Sequence, residues 1–356
     1  MTSDATLARF REYMVGPSRF MTLLSTFELG IVDLLRKTPG LTANELGKAV
    51  GAKPDAVEQL LLLLVKEGFI AHDERSGAYA LDALADVAES DLRRALAYMN
   101  LIKVTALRQF FYLTESVRTG TTAGLKHLYG VDGTLYDAVA DHRDLRDAWS
   151  KLMDTVTANI DPWFFANVDI PAGAQVLDVA GNTGLGAIHT YRHKASPGLK
   201  VTTFDLPEKE GEALANFKAH GVQEHCSFIG GDVFDEIPQG FDTVLIKHFL
   251  DMFDKDDVRT ILDGVHKALK VGGQVNILVP VYPENIKDTD NYNVDFFPAF
   301  FIGAAMGQGG PQKLSTYQRW LEESGFQVTK AVTKASAEIP PDVIPVQAIL
   351  SATKVD

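Results

Sequence analysis

"AQVLDVAGNTGLGA", residues 174–187, is the stretch that decides the fold. An apolar strand over 174–180 runs into a loop of small residues, and a helix follows. Small residues let the backbone approach a ligand, and the first turn of a helix offers it unpaired N–H groups. A single glycine-rich loop is a weak signal. This order of elements is nevertheless typical of the first part of a nucleoside-binding α/β domain.

Short apolar strands recur after this stretch, and helical stretches separate them. The alternation predicts a doubly wound parallel sheet, which places the chain in the α/β class with a Rossmann-like C-terminal domain. Two strands near the C-terminus are expected to close the sheet as an antiparallel pair. In chain order the predicted strands are 174–180, 200–206, 226–232, 241–247, 273–280, 326–332 and 346–353.

Aspartates end three consecutive strands of this sheet, at Asp178, Asp205 and Asp232. The carboxyl ends of parallel strands meet at one edge, so we expect the three carboxylates to face one crevice. Asp205 could accept hydrogen bonds from both ribose hydroxyls of a nucleoside, and Asp178 could bind an amino group. Each aspartate alone could instead cap a helix. The loop lacks the G-x-G-x-x-G spacing that holds a pyrophosphate, which favours S-adenosylmethionine over a dinucleotide.

The N-terminal part of the chain predicts a winged-helix unit. Residues 41–81 indicate two helices, a turn and two short strands, with Thr42 and Glu45 forming a capping box. Such a unit either binds DNA or serves packing and dimerisation. The second helix has one lysine and no arginine, and the net charge of the chain is −13. Both features argue against contact with nucleic-acid phosphates.

Residues 8–36 show helical periodicity, which we expect to be broken at Gly16–Pro17. The part over 20–35 is unusually apolar for a surface helix. It is either core or the face that a partner covers, because an exposed apolar stripe is an aggregation hazard in a monomer. We therefore expect a homodimer built by the N-terminal domain.

The composition excludes several kinds of site. The single cysteine, Cys226, rules out an intramolecular disulfide and a cysteine-based zinc site. No histidine pair has convincing metal-ligand spacing, so we expect no metal. The N-terminus lacks the apolar core of a signal peptide, and the longest apolar run, 60–65, is far too short to span a membrane. A cytoplasmic protein that binds neither membrane nor nucleic acid is expected.

Together these motifs resemble the caffeic-acid/hydroxyindole type of S-adenosylmethionine-dependent O-methyltransferases, over essentially the whole chain. The resemblance implies a winged-helix dimerisation domain over 1–110, a helical linker and substrate-lining region over 111–168, and a class I methyltransferase domain over 169–356. The matching stretches are "LDVAGNTG" (177–184), "FDLP" (204–207), "GGDVF" (230–234), "LIKHFLDMFDKDD" (245–257) and "STYQRWLEESGF" (315–326).

The resemblance also implies roles for residues at the cofactor site. Asp205 would bind the ribose, Leu206 would pack on the adenine, and Asp232 with Val233 would hold the adenine. Lys247 would lie near the methionine end of the donor. Ala180 and Asn182 stand at two loop positions where the family has glycine. Alanine adds only a methyl group, and asparagine tolerates left-handed backbone. The loop residues expected at the site, beside Asp178, are Ala180, Gly181, Asn182 and Gly184.

A catalytic histidine that the resemblance implies is missing from this chain. The family's motif after the fourth strand is roughly H-x-L-H-D-W, and its second histidine deprotonates the substrate hydroxyl. Here the motif is "HFLDMF", 248–253, so Asp251 stands at the position of the base. His248 matches the first histidine, which the family does not use as the base. Pro280 aligns with the glutamate that orients the catalytic histidine.

An ordinary aspartate is a poor base for a phenol. A phenol has a pKa of about 10 and an aspartate about 3.9, so full proton transfer to an unperturbed aspartate is uphill by roughly 8 kcal/mol. Burial could raise the pKa of Asp251 by about 3–5 units, but Lys247 and His248, if charged, would lower it. We therefore expect Asp251 to face the substrate without being an efficient base.

The reaction is left open between two hypotheses. One is methyl transfer to an aromatic or polyketide-like small molecule of secondary metabolism, at carbon or at an activated oxygen. The other is a non-methylating enzyme, such as a cyclase, a pericyclase or a hydroxylase-like enzyme, that keeps the cofactor as a structural element.

The aromatic, glycine-rich segment 291–310 is expected to line a pocket for a flat apolar substrate. The alternative is an ordinary core helix, because phenylalanine is buried in most settings. The candidate substrate contacts are Phe296, Phe297, Phe300 and Met306.

Overall fold

The computed structural model describes residues 3–287, 291, 293–334 and 346–355. The chain forms two compact units, Met1–Asn100 and Leu101–Asp356. The domain boundaries expected at 110 and 168 remain predictions.

The first unit is a helix-turn-helix with a small antiparallel sheet of strand order β1-β3-β2. The predicted capping box is confirmed, since Thr42 Oγ1 accepts from Glu45 N and Glu45 Oε2 accepts from Thr42 N. The predicted pair of helices and wing is confirmed as well. The elements are α1 (Ser3–Glu28), α2 (Ile31–Lys37), β1 (Leu41–Thr42), α3 (Ala43–Val50), α4 (Pro54–Lys66), β2 (Ile70–Asp73) and β3 (Ala78–Leu81).

The break expected in the first helix at Gly16–Pro17 is wrong. α1 runs through Gly16 and Pro17 and ends at Glu28, and the chain turns instead at Gly30, which has φ 76°. Proline removes only one backbone donor, so a long helix can retain it. The apolar stretch 20–35 is largely core, with Leu24, Ile31 and Leu35 buried. The exposed apolar side chains lie earlier on the same helix, at Leu7, Phe10, Tyr13 and Met14.

Helices dominate the chain between the two sheets, as predicted. A π-helical turn, Ile102–Leu107, and a 3₁₀ turn, Gln109–Tyr112, follow the first of these helices. π-Helical turns frequently occur at functional sites. The α-helices are α5 (Glu89–Leu101), α6 (Leu113–Thr119), α7 (Ala123–Tyr129), α8 (Leu135–Asp141) and α9 (Arg143–Asn167).

The predicted sheet is confirmed in the second unit. Its strand order is β10-β11-β8-β7-β4-β5-β6, and β9 pairs with β8. The strands from β6 to β8 in this order are parallel, while β11 and β10 close the sheet in antiparallel fashion. The elements are β4 (Gln175–Val179), α10 (Leu185–Lys194), β5 (Lys200–Asp205), α11 (Glu210–Ala219), β6 (Cys226–Gly230), β7 (Phe241–Lys247), α12 (Lys255–Ala268), β8 (Leu269–Tyr282), α13 (Asn293–Phe300), β9 (Gln312–Lys313), α14 (Leu314–Glu323), β10 (Phe326–Thr333) and β11 (Gln347–Lys354).

Strand order reverses at β4, which pairs with β5 on one side and β7 on the other. Connections leave in opposite directions at such a point, and a crevice opens beyond the carboxyl ends of the strands. The centres of β4 and β7 are fully buried, which fixes this edge rigidly. Asp178, Asp205 and Lys247 lie at or next to the ends of these strands, where an α/β sheet binds its ligand.

Candidate active site

The loop after β4 keeps its tight shape without the family's glycines. Ala180 has φ 56° and Asn182 has φ 48°, so both adopt left-handed backbone. That conformation costs an alanine about 1–2 kcal/mol. Hydrogen bonds to the neighbouring strand offset the strain: Ala180 N donates to Phe204 O over 2.8 Å, and Asn182 N donates to Asp205 Oδ2 over 2.7 Å.

Gly181 in this loop and Gly186 in the first turn of α10 bring the backbone up against Asp178. A Cβ built on Gly181 would lie 2.7 Å from Asp178 Oδ2, and one on Gly186 would collide with the same oxygen. Asp178 is 1% exposed, and its Oδ2 has no hydrogen-bond partner among the described residues. Burial raises its pKa to about 6, although the charge of Lys247 acts in the opposite direction. A buried carboxylate oxygen without a partner suits a cationic ligand group.

Asp205 accepts two backbone hydrogen bonds at the end of β5. Leu206 N donates to its Oδ1 and Asn182 N to its Oδ2, both over 2.7 Å. Burial raises the pKa of Asp205 in spite of these two bonds. An ionised carboxylate has about four acceptor positions, so both oxygens can still accept from hydroxyl groups.

An open aromatic surface lies around Asp232, on the neighbouring strand end. Asp232 is exposed and its Oδ1 accepts from Phe234 N over 2.9 Å. Phe234 contacts Phe253 edge to face with ring centroids 5.3 Å apart, and Phe249 contacts Phe253 over 4.9 Å. Leu206, also predicted here, is exposed, and Val233 is half-buried. Apolar faces beside an acceptor suit a planar heterocycle.

Lys247 ends β7 with its side chain largely buried. Its Nζ lies 3.4 Å from Asp161 Oδ1, and the rings of Phe164 and Phe165 are within 5.8 Å and 5.5 Å of it. Asp161, on α9, also contacts His189 Nδ1 through its Oδ2 at 2.6 Å. Burial would raise the pKa of Asp161, but His189 and Lys247 outweigh it and the pKa is lowered. Neither Asp161 nor His189 could be predicted from the sequence, because neither belongs to a strand end or a motif.

His248 follows β7 in a strained conformation, with φ 52°. Its N donates to Leu278 O over 2.8 Å, while its Nε2 is buried without a partner among the described residues. Burial, followed by the charge of Lys247, lowers its pKa to about 4. His248 is therefore neutral near pH 7.

Asp251 lies in the short 3₁₀ turn Leu250–Met252 and is 6% exposed. Burial raises its pKa to about 7. Its Oδ1 has no hydrogen-bond partner among the described residues, and its backbone oxygen accepts from Gly310 N over 2.7 Å. Lys247 and His248 would lower this pKa only as charged neighbours; His248 is neutral, and the ammonium of Lys247 bonds Asp161 instead. Asp251 therefore has the raised pKa that a general base requires.

Three tyrosines within electrostatic range of Asp251 were missed by the sequence analysis. Burial and then the charge of Asp251 raise the pKa of Tyr282 to about 12 and that of Tyr317 well above its usual value. The same causes raise the pKa of Tyr136. These phenols stay protonated at neutral pH and are available as hydrogen-bond donors. They come from α8, β8 and α14, so no local pattern connects them with Asp251.

Comparison with known proteins assigns the family. A model of the O-methyltransferase domain matches residues 110–327, and a model of the O-methyltransferase dimerisation domain matches residues 12–89. The first match alone covers more than half of the chain.

The chain belongs to the O-methyltransferase family.

Relatives of this chain include enzymes of secondary metabolism. The mitomycin biosynthesis 6-O-methyltransferase of Streptomyces lavendulae is 28% identical over 86% of this chain and 84% of its own length. The naringenin 7-O-methyltransferase of Oryza sativa subsp. japonica is 31% identical over 78% and 77%. An L-tyrosine C(3)-methyltransferase of Streptomyces lavendulae is 24% identical over 88% and 85%.

Solved structures share the fold over nearly the full length of this chain. Mitomycin 7-O-methyltransferase MmcR has a TM-score of 0.77 at 24% identity, covering 98% of each chain. Human N-acetylserotonin methyltransferase in complex with S-adenosylmethionine has a TM-score of 0.75 at 20% identity, covering 100% of each chain. The family, fold class and enzyme class predicted from the sequence are thereby confirmed. S-adenosylmethionine is confirmed as the cofactor at the level of the family.

The predicted substrate segment contains the helix α13, Asn293–Phe300, which continues into a second π-helical turn, Phe301–Ala305. Phe300 is 5% exposed and belongs to a buried apolar cluster, as the core-helix interpretation held. Phe296, Phe297 and Met306 pack against that cluster but are only partly buried. Phe296 stacks on Phe300 with centroids 5.2 Å apart. Met252, the neighbour of Asp251, packs against the same cluster.

Gln109 is a further polar group that the sequence analysis missed. It is fully buried beside the apolar cluster, whose members Ala106 and Phe110 flank it in the chain. Neither amide atom has a hydrogen-bond partner among the described residues.

Among the described residues, no helix combines the length and apolarity that crossing a membrane requires. Within the same residues, no group of three or more His, Cys, Asp or Glu side chains is arranged to hold a metal ion.

Proposed function

We propose that the protein transfers a methyl group from S-adenosylmethionine to an aromatic small molecule of secondary metabolism, with Asp251 as the general base. The acceptor is a ring hydroxyl, or a ring carbon that such a hydroxyl activates. The buried Asp251, with a free Oδ1 and a raised pKa, carries this proposal. The apolar cluster that Met252 shares with Phe296 and Phe297 supports a flat substrate.

The strand ends offer groups that fit each part of the donor. Asp205 would accept from the ribose hydroxyls, and Asp232 with Val233 and Leu206 would hold the adenine. The unpartnered Oδ2 of Asp178 would face the amino group of the amino-acid end, with Lys247 near its carboxylate. When bound, S-adenosylmethionine supplies an electrophilic methyl group on a sulfonium.

The raised pKa of Asp251 changes the energetics of deprotonation. Transfer from a phenol of pKa about 10 to a carboxylate of pKa about 7 is uphill by roughly 4 kcal/mol, against roughly 8 kcal/mol for an ordinary aspartate. A histidine of pKa about 6.5 faces a similar barrier. Buried Asp251 is thus comparable as a base to the histidine that the family resemblance implies at this position.

The proton passes from the acceptor hydroxyl to Asp251. Tyr282 and Tyr317 remain protonated beside it, and their hydroxyl groups can donate toward the site. Orientation of the acceptor toward the methyl group contributes the other part of the rate. A phenolate is nucleophilic at oxygen and at the adjacent ring carbons, so the same base serves O- and C-methylation. Mass spectrometry of products from a panel of aromatic hydroxyl compounds tests this function. Tight donor binding without any methylated product would favour the non-methylating alternative.

Removing the ribose ligand is expected to weaken donor binding. Asp205→Ala should raise the Kd for S-adenosylhomocysteine, measured by calorimetry, because hydrogen bonds to a charged group contribute about 1.5–3 kcal/mol. Asp263→Ala is the matched control, since Asp263 is exposed on α12. Equal affinity of Asp205→Ala and the wild type would contradict the assignment of Asp205.

A homodimer built by the first unit is also proposed. Leu7, Phe10, Tyr13 and Met14 are 62%, 59%, 78% and 78% exposed. Their spacing of three and four residues places them on one face of α1. The match of the dimerisation-domain model to residues 12–89 supports a partner for that face.

Light scattering on a sizing column should therefore give twice the chain mass for the wild type. The double substitution Phe10→Glu and Met14→Glu should give a monomer, because it places two like charges in an apolar interface. Val271→Glu, at a residue 73% exposed in the second unit, is the control and should leave the dimer intact. A wild-type monomer at micromolar concentration would show this proposal wrong.

A further inference from the structure

Four charged or titratable side chains form a largely buried cluster at the donor edge of the sheet. They are Asp161 on α9, Asp178 on β4, His189 on α10 and Lys247 on β7. Asp161 and Asp178 are 2% and 1% exposed. We refer to these four residues as the charge cluster.

Two carboxylates of the charge cluster compete for one ammonium. Lys247 Nζ donates to Asp161 Oδ1 over 3.4 Å. A Cβ built on Gly186 would lie 3.2 Å from Lys247 Nζ and would also collide with Asp178 Oδ2. The ammonium is therefore close to both carboxylates, yet it bonds only Asp161. Asp178 Oδ2 stays without a partner among the described residues.

His189 contacts the carboxylate oxygen of Asp161 that Lys247 does not bond. Its Nδ1 lies 2.6 Å from Asp161 Oδ2, so the carboxylate is held between the ring and the ammonium. The rings of Phe164 and Phe165, on the same helix as Asp161, also face the ammonium. α9 thus supplies the anion and the aromatic faces that draw Lys247 away from Asp178.

From these contacts we infer that Asp161 and His189 are positioning residues for the amino-acid end of the donor. They hold Lys247 on the α9 side, which keeps Asp178 Oδ2 free for the donor's α-ammonium and presents Lys247 to its α-carboxylate. The inference rests on the proposed donor site and adds two residues that act through Lys247. Without Asp161, the ammonium would pair with Asp178, because a buried charge without a partner is strongly unfavourable. Asp178 would then no longer accept from the donor.

The affinities for two nucleosides distinguish the positioning role of Asp161 and His189 from a general loss of structure. S-adenosylhomocysteine carries the amino-acid end, whereas 5′-methylthioadenosine keeps the adenosine and the thioether but lacks that end. Calorimetry should show Asp161→Asn binding S-adenosylhomocysteine at least about tenfold more weakly than the wild type, a difference of about 1.4 kcal/mol. Its Kd for 5′-methylthioadenosine should stay within about twofold, well under 1 kcal/mol.

A second variant and a matched control complete the experiment. His189→Gln, at a side chain 27% exposed, should shift the two affinities in the same unequal way and tests the inference if Asp161→Asn fails to fold. Asp242→Asn is the control: Asp242 bonds Lys270 over 2.7 Å at the opposite edge of the sheet, and its loss should leave both affinities unchanged.

The outcomes distinguish the inference from the proposed function. Equal affinity of the variants and the wild type for S-adenosylhomocysteine would overturn the positioning role, and so would an equal loss of both nucleosides. If the wild type bound neither nucleoside, the proposed donor site itself would be wrong, and the positioning role with it.

Discussion

Replacing Asp251 with asparagine is expected to lower kcat/KM for a phenolic acceptor by about 10²–10⁴-fold, the usual contribution of general-base catalysis. Asparagine keeps the size of the side chain but cannot take a proton from the acceptor hydroxyl. The affinity for S-adenosylhomocysteine should remain that of the wild type, because Asp251 has no proposed contact with the donor. Initial rates at saturating donor, followed by product mass spectrometry, measure the loss.

The pH profile gives the second part of this test. The base form of Asp251 is the ionised carboxylate, and burial raises its pKa to about 7. Below that pKa, kcat/KM of the wild type should fall about tenfold for each pH unit, and above it the rate should level off. Asp251→Asn should lose this limb, and any dependence that remains should follow the ionisation of the acceptor. Asp263→Asn, the same change at an exposed position on α12, should keep the wild-type profile.

Acceptor acidity separates the base role from orientation alone. With an acceptor that is already ionised at the assay pH, the loss in Asp251→Asn should shrink to about tenfold or less, because there is no proton left to remove. A loss below tenfold with every acceptor would reject the base role. It would support the interpretation from the sequence that Asp251 faces the substrate without being an efficient base, and orientation toward the methyl group would then supply most of the rate.

The fold could be predicted from local patterns because the parallel sheet repeats one signal. The parallel strands are short, largely apolar runs, and the intervening helices separate the runs clearly. The edge of the sheet that we propose binds the donor could be predicted in the same way, because Asp178 and Asp205 lie at or next to the carboxyl ends of predicted strands. Ala180 and Asn182 take up left-handed backbone where the family has glycine; asparagine was expected to tolerate this conformation, and alanine adds only a methyl group.

The catalytic position could not be predicted in the same way, because burial is a property of the whole fold. Gly310 N donates to the backbone oxygen of Asp251, and burial and then the charge of Asp251 raise the pKa values of Tyr282 and Tyr317. Each of these three residues lies tens of residues away from Asp251 in the chain. The pairing of Lys247 with Asp161 joins positions 86 residues apart. The sequence therefore showed a carboxylate in place of a histidine without showing the environment that raises its pKa.

Long-range packing also decides between the alternatives left open for the first unit. The apolar residues Ile31 and Leu35 of the stretch 20–35 are buried against residues of α3 and α4, whereas the apolar residues around Phe10 and Met14 stay exposed. Composition alone cannot tell these cases apart, since both satisfy a helical period. The position of Pro17 within α1 follows the same rule: local preference predicts a break, and the rest of a 26-residue helix overrides it.

Asp251→Asn is also expected to stabilise the protein, in a manner that depends on pH. An aspartate has a pKa of about 3.9 in the unfolded chain and about 7 here, so the folded state favours the protonated form. Below pH 4 or so the group is protonated in both states and costs nothing. Between the two pKa values the cost of ionisation grows by about 1.4 kcal/mol for each pH unit, and above pH 7 it reaches about 4 kcal/mol.

Asparagine carries no charge and removes this cost. Urea unfolding should therefore show Asp251→Asn more stable than the wild type by up to about 4 kcal/mol at pH 8 and by only about half as much at pH 5.5. Asp263→Asn should change stability little at either pH. If Asp251→Asn were equally destabilised at both pH values, the carboxylate would be a structural hydrogen-bonding group. A gain in stability together with a loss of activity would instead mark Asp251 as a side chain whose buried charge serves catalysis at the expense of the fold.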